Sequence, residues 1–230
     1  IKDTTRNEYL KTVKALGLCE LEEPFSIQVI TNALNSIPNQ NTRRKNAIAL
    51  KSITGLPLKY PKPVPLDLEL PSYDECHAII EKSRYYRMYG HLMLHGGLRI
   101  GESLYKQRIK GNAIDVQMQR LASGNISTAK STGLVYLPSW LLEEYKKWEP
   151  TQRYNTVGIG ITRLFKKHGH SEITPHKLRH IFASHYAKHL PPEGLRRQMR
   201  HSKIETTMSY YVHVSEADIL EAMNRSSHGN

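Results

Sequence analysis

Two arginines and a histidine of this chain have the types and spacing needed to bind and activate a phosphate group. Arg99 lies in the stretch HGGLRIGESL, and Arg179 lies far from it in the stretch PHKLRHIFASH. A guanidinium donates paired hydrogen bonds and keeps its charge, so two of them suit a phosphate oxygen on which negative charge develops. His176 precedes Arg179 by three residues and is predicted to share a helical face with it. Its imidazole titrates near neutral pH and can transfer a proton.

The stretch RHSKIETTMSYYVHV contains two adjacent tyrosines that are candidates for a nucleophile. A phenol ionises near pH 10 and attacks slowly at neutral pH unless a cationic pocket and a base assist it. Tyr210 follows His201 by nine residues, and Tyr211 follows it by ten. Adjacent residues of a helix point about 100° apart, so only one of the two hydroxyls can reach a given phosphate.

Four stretches, in this order, resemble the catalytic domain of the tyrosine recombinase (phage integrase) family: HGGLRIGESL, AKSTGLVYLP, PHKLRHIFASH and RHSKIETTMSYYVHV. The helices before Leu58 and the proline-rich segment after them resemble that family's core-binding domain and linker. One departure is visible, because the family usually has Gly-His where this chain has Arg200-His201. The departure concerns the local turn and leaves the histidine in place.

The resemblance implies catalytic roles for Arg99, Lys130, His176, Arg179, His201 and Tyr211, with Tyr210 as the alternative nucleophile. Lys130 would protonate the departing 5′ oxygen, and His201 would donate to a non-bridging phosphate oxygen. We prefer Tyr211 because the Tyr-Val-His ending with His213 matches the family pattern Tyr-x-His. Glu102 and His180 are interpreted as supporting positions, as are the two threonines before the tyrosines.

The implied function is that of a site-specific DNA recombinase or integrase. The nucleophile would form a 3′-phosphotyrosyl link, and a 5′ hydroxyl would then reverse the step, so neither ATP, a metal nor another cofactor is expected. The implied partners are double-stranded DNA and further copies of the chain, assembled as a tetramer. A type IB topoisomerase or a telomere resolvase shares this chemistry, and a catalytically inactive DNA-binding relative shares the fold.

A metal-dependent nuclease is a weaker hypothesis that the histidines of one segment raise. His176 and His180 have the spacing of two ligands on one helix, and His185 and His189 follow. Lys177, however, stands where a zinc hydrolase needs a glutamate, and no carboxylate cluster is near. The sequence therefore predicts no metal in the catalytic site.

The charge balance supports a polyanionic partner. The 230 residues include 33 Lys plus Arg against 21 Asp plus Glu, a formal net charge of +12, and the excess is present in both predicted domains. Arg43, Arg44 and Lys45 near the start of a predicted helix are candidate DNA-binding residues.

No apolar run is long enough for a membrane helix, and two lone cysteines, Cys19 and Cys76, favour a reducing compartment. We expect a cytoplasmic, nucleoid-associated protein of a prokaryote, virus, plasmid or other mobile element.

The pattern of apolar residues predicts a mainly α fold with a small antiparallel β-sheet (α+β). Residues 1–60 form a predicted helical core DNA-binding domain, residues 61–71 a proline-rich linker, and residues 72–230 a catalytic domain with a C-terminal tail. Ser72 is predicted to cap the first catalytic helix, and the strands are expected between residues 113 and 137. The tail is a candidate for docking on a neighbouring protomer. Because the chain does not begin with methionine, further residues are expected before Ile1.

Overall fold

The computed structural model describes residues 3–18, 26–62, 70–211 and 220. The chain divides into two compact units, residues 1–67 and residues 68–230. The boundary lies within the predicted linker, of which residues 63–69 are outside the described part. The fold class predicted from the sequence is confirmed, since helices predominate and one three-stranded antiparallel sheet accompanies them.

The first unit has three described helices: α1 (Asp3–Ala15), α2 (Ile27–Asn35) and α3 (Gln40–Thr54). The Asn39 side chain caps α3 by accepting a hydrogen bond from the backbone N–H of Thr42. Gly55 ends α3 in the left-handed conformation that glycine adopts without strain. Apolar side chains of α2, α3 and the segment after α3 form a core of their own, including Ile30, Leu34, Ala47, Leu50 and Leu58.

The second unit has eight described helices and three strands. They are α4 (Tyr73–Glu81), α5 (Arg87–Gly96), α6 (Ile100–Ser103), β1 (Arg108–Lys110), β2 (Ala113–Arg120), β3 (Ile126–Tyr136), α7 (Ser139–Lys147), α8 (Tyr154–Lys167), α9 (Pro175–Tyr186), α10 (Pro192–Met199) and α11 (Ile204–Met208). Ser72 caps α4 by accepting from the backbone N–H of Glu75, as predicted. Helix α9 ends at Tyr186, and Pro191 is the N-cap residue of α10, whose first residue is Pro192.

The sheet has the strand order β1-β2-β3, with both pairs antiparallel. An irregularity in the pairing of β2 with β3 falls between Val116 and Met118. Lys130 lies on β3, and its side chain is exposed. Lys130, the predicted general acid, therefore lies on a hairpin that β3 forms with β2.

Helix α5 is buried from Met88 to Gly96 and joins the two cores of this unit. Met93 and Leu94 pack with α4, α8 and α9, while Leu92 packs with the sheet and α7. Gly97 ends α5 at φ +63°, and a Cβ at this position would lie 2.7 Å from the Phe182 ring. The tight turn at Gly97 thus directs the chain into Arg99, which is the N-cap residue of α6.

None of the described helices combines the length and the apolar composition that crossing a membrane requires.

Candidate active site

Arg99 is held by a buried carboxylate one helical turn ahead of it. Glu102 accepts a 2.9 Å hydrogen bond from the Arg99 backbone N–H through Oε2 and another of 2.9 Å from Arg99 Nη1 through Oε1. The Glu102 side chain is fully buried, while that of Arg99 is 27% exposed. One corner of the Arg99 guanidinium is therefore fixed by the protein, and the side chain still reaches solvent.

Arg179 lies near Arg99, at the junction of α9 with the ends of α5 and α10. Its guanidinium is buried and donates from Nη1 to the carbonyl oxygen of Gly97 and from Nη2 to that of Met199, the latter at 2.5 Å. Burial lowers the pKa of Arg179, and the nearby charges of Arg99 and Arg200 lower it further. These arginines are close enough to repel each other, so a bound anion would relieve a repulsion that the protein's own residues leave in place.

Arg200 connects the arginine cluster to the β3 hairpin. It is buried, takes the left-handed conformation at φ 54°, and lies 2.5 Å through Nη2 from Oε2 of Glu102. Its Nε donates to the carbonyl oxygen of Ser131, the neighbour of Lys130. Glu102 thus bridges Arg99 and Arg200, and the same contacts fix the strand from which Lys130 projects.

A cleft of about 1270 Å³ opens beside this network. Lys130, Arg200 and His201 all line it. The cleft therefore places Lys130, the predicted general acid, on the same surface as Arg200 and His201.

His176 and His201 experience the same positive charges. The pKa of His201 is lowered to about 4 by burial and then by Arg179, Arg99 and Arg200. The pKa of His176 is lowered by partial burial and then by Arg179 and Arg99. Both imidazoles are therefore neutral at pH 7, each with one N–H to donate and one nitrogen to accept. His201 uses Nδ1 in a 3.0 Å hydrogen bond with the Thr207 hydroxyl.

The two tyrosine hydroxyls have different surroundings. Tyr210 is hydrogen-bonded through its hydroxyl to Nδ1 of His180 at 2.9 Å, and its ring stacks on that of His201. Burial raises the pKa of Tyr210, and the nearby charge of Arg179 offsets part of that rise. The Tyr211 hydroxyl instead donates to the carbonyl oxygen of Leu190 at 2.6 Å, and burial alone raises its pKa. The position of the hydroxyl favours Tyr210, whereas the sequence pattern favours Tyr211.

The structure thus gathers most of the predicted residues around one site: Arg99, His176, Arg179, His201 and Tyr210, with Lys130 at the adjoining cleft. His180 and Glu102 make direct contacts there, and the sequence predicted only supporting positions for them. Arg200, which appeared in the sequence as a departure from the family pattern, is a member of the buried network. His213, which supported the choice of Tyr211, lies outside the described residues.

The basic residues predicted to bind DNA lie in the first unit and have contacts within it. Arg43 donates from Nε and Nη2 to the carbonyl oxygen of Ile37. Arg44 donates to the carbonyl oxygen of Pro61 at 2.7 Å and lies over the Tyr60 ring. Lys45 is exposed. Two of the three residues therefore have a local structural role, and their part in DNA binding stays a prediction.

Part of the chain matches a known protein family. Residues 146–218 match the family described as the phage integrase family. The match covers 73 of the 230 residues. A stretch of 76 residues is 33% identical to the transposase of transposon Tn916 from Enterococcus faecalis and equally to that of Tn1545 from Streptococcus pneumoniae. Each alignment covers 31% of this chain and 19% of the relative, so the chain matches about a fifth of the length of these curated relatives.

Solved structures of integrases share the fold. The Tn1549 transposon integrase in complex with transposon right end DNA has a TM-score of 0.71 and 17% identity, over 98% of this chain and 94% of that one. A lambda integrase dimer bound to a COC' core site has a TM-score of 0.63 and 18% identity, over 91% of this chain and 89% of that one. The second unit therefore has the tyrosine recombinase catalytic fold, and the segment that matches the phage integrase family includes α8, α9, α10 and α11.

Proposed function

We propose that this protein is a site-specific DNA recombinase that cleaves and rejoins strands through a 3′-phosphotyrosyl intermediate. The observation that carries the proposal is the convergence of Arg99, Arg179 and His201 with a tyrosine hydroxyl at a single cationic site. The like charges of Arg99, Arg179 and Arg200 repel one another, which destabilises the empty site and favours a bound anion. A phosphodiester supplies that anion, and the tyrosine supplies the nucleophile.

In the proposed reaction, Tyr210 attacks the scissile phosphorus while its proton moves to Nδ1 of His180. The pKa of His180 is lowered to about 4 by burial and then by neighbouring cations, so the ring is neutral at pH 7 and can accept this proton. Arg99 and Arg179 stabilise the charge that develops on the non-bridging oxygens. The bond from phosphorus to the 5′ oxygen breaks, and Lys130 donates a proton to that oxygen. Attack by a 5′ hydroxyl on the phosphotyrosine reverses each transfer.

The same proposal covers the partners of the protein. The net charge of +12 suits double-stranded DNA, and related structures are described as an integrase with transposon DNA and a dimer on a core site. Strand exchange between two duplexes needs four nucleophiles, so we propose a tetramer on DNA. A role on mobile DNA in the cytoplasm of a prokaryote is consistent with the transposon relatives. Those names favour recombination over a topoisomerase or telomere resolvase.

The experiment that tests the proposal traps the covalent intermediate. The full chain is incubated with a randomised pool of nicked duplexes, with a chelator present, and is then analysed by denaturing electrophoresis. We expect a protein–DNA band that Tyr210→Phe abolishes and that the neighbouring control, Tyr211→Phe, retains. The reverse pattern would assign the nucleophile to Tyr211. A band that survives both substitutions, or no band from the parent chain, would refute strand cleavage by this site.

A further inference from the structure

Three histidines that the proposed reaction does not use meet between α4 and α5. His77 lies on α4, and His91 and His95 lie one turn apart on α5. One ring nitrogen from each can be chosen so that all lie within 4.8 Å of one another. The ring centroids are 5.0 Å apart for His77 with each of the other two and 5.2 Å apart for His91 with His95. The three rings therefore surround one point.

One nitrogen in this group has no partner in the described part of the chain. His91 is fully buried and is hydrogen-bonded through Nε2 to Oε1 of Glu81 at 2.8 Å. Glu81 is paired with Arg87 and is therefore a carboxylate, which only accepts, so Nε2 must carry the hydrogen. The lone pair of neutral His91 is then on Nδ1, which is buried without a hydrogen-bond partner. An orphaned acceptor of this kind is costly unless something binds it.

The surroundings of the other rings resemble those of metal ligands. Nδ1 of His95 is hydrogen-bonded to the Tyr73 hydroxyl at 2.5 Å, which leaves Nε2 facing His77 at 2.9 Å. Histidines that bind metals usually have their second nitrogen fixed in this way by a carboxylate or another polar group. Trp140 packs edge-on against all three rings at centroid distances of 5.2 to 5.9 Å. The group is thus oriented by hydrogen bonds and enclosed by an apolar wall.

The hydrogen bonds of the rings also leave a nitrogen on each that a metal can use. Neutral imidazole is the ligand form, and each ring can present one nitrogen after exchange of its tautomer, with no net loss of protons. An anion would need protonated rings, and three positive rings at these distances would repel one another. The cluster is therefore not a site for an anion.

We propose that His77, His91 and His95 bind a divalent transition metal ion of the Zn(II) type, which ties α4 to α5. In a tetrahedral zinc site the metal–nitrogen bonds are about 2.0–2.1 Å, so neighbouring ligand atoms lie about 3.4 Å apart. The present spacing brackets that value, since one pair is at 2.9 Å and all lie within 4.8 Å. A water completes the coordination, and Glu81 Oε1 keeps its 2.8 Å hydrogen bond to Nε2 of His91. The metal has no part in strand transfer. It stabilises α5, which leads to Gly97 and Arg99.

The test uses tag-free full-length protein stripped of metal with a chelator and then titrated with Co(II). We expect one equivalent to give the visible absorption of a four-coordinate histidine site, and Zn(II) to displace it. Binding should also quench Trp140 fluorescence in a Trp148→Phe background, since Trp140 covers the rings. His77 is partly exposed, so His77→Ala should fold and should weaken binding more than about 100-fold, because even second-layer changes cost 10–100-fold. The matched control is His189→Ala, an exposed histidine outside the cluster.

The proposal is supported if the parent chain and His189→Ala bind Co(II) alike while His77→Ala does not. Zn(II) should then raise the melting temperature of the parent chain and leave that of His77→Ala unchanged. Absence of the Co(II) absorption, or a band of equal strength in His77→Ala, overturns the proposal. A Tyr73→Phe variant, which keeps all three ligands but loses the contact to His95, should bind with affinity reduced by about 10–100-fold.

Discussion

Replacement of Glu102 by glutamine tests whether the arginine cluster depends on one buried negative charge. The carboxylate accepts from the backbone and side chain of Arg99 and pairs with Arg200. Glutamine keeps the size but loses the charge, and its NH₂ group would face a guanidinium that also donates. The substitution thus leaves Arg200 buried without its counter-ion while Arg179 stands nearby.

The expected cost follows from the burial of both partners. The side-chain exposure of Arg200 is 2% and that of Glu102 is 0%. Removing one member of such a buried pair costs about 3–5 kcal/mol, because the remaining charge is left without compensation. With a urea dependence of about 2 kcal/mol per molar, the unfolding midpoint should fall by about 2 M.

The assay is urea unfolding followed by tryptophan fluorescence, which reports on the second unit alone because the two tryptophans, Trp140 and Trp148, both lie there. The matched control is Glu193→Gln. Glu193 also bridges two arginines, Arg196 and Arg197, but it is exposed, so its loss should hardly move the midpoint. Equal small shifts for Glu102→Gln and Glu193→Gln would refute the claim that a buried charge holds the cluster together.

Two further predictions concern the same unit. Gly97→Ala should destabilise it by about 2–5 kcal/mol, because the left-handed backbone costs about 1–2 kcal/mol and the new Cβ would lie 2.7 Å from Phe182. Gly111→Ala has a similar φ of +56° but open space, so urea midpoints should show only the backbone cost, and equal losses would contradict the packing argument. His180 and His201 have pKa values lowered to about 4, below the usual 6.5, so the unfolded chain binds their protons first as the pH falls. The free energy of unfolding should therefore decrease from about pH 6.5 towards pH 4. The decrease should be less steep in His201→Gln, and an unchanged slope would refute the claim that the fold lowers the pKa of His201.

Much of the fold was predictable because local chemistry determines it. Ser72 followed by Glu75 is a helix-start signal that needs no tertiary information, and the structure has a cap at that residue. Short β-branched segments separated by turns predicted the sheet, and the three strands lie there. The convergence of Arg99 and Arg179 was implied by family resemblance alone, since nothing in either local sequence determines how α5 packs on α9.

The remaining features depend on packing between distant segments. The sequence shows that Tyr210 and Tyr211 point in different directions, but only the tertiary arrangement decides which hydroxyl meets His180. His91 and His95 have an i, i+4 spacing that a reader could have noticed. Their third partner, His77, becomes visible only when α4 is packed on α5. The spacing of two residues within one helix can therefore be predicted from the sequence, whereas a cluster assembled from several helices cannot.

Arg200, which stands where the family pattern has glycine, can be explained by its contacts with distant parts of the chain. A residue other than glycine in the left-handed region costs about 1–2 kcal/mol, and glycine, which the family pattern has here, would avoid that cost. The arginine side chain offsets it by pairing with Glu102 at 2.5 Å and by donating to the carbonyl of Ser131. Because Glu102 also holds Arg99, and Ser131 adjoins Lys130, a substitution by glycine would relieve the backbone while releasing both Arg99 and the hairpin. The strained residue therefore links the arginine that we propose binds the phosphate to the strand that carries Lys130, the proposed general acid.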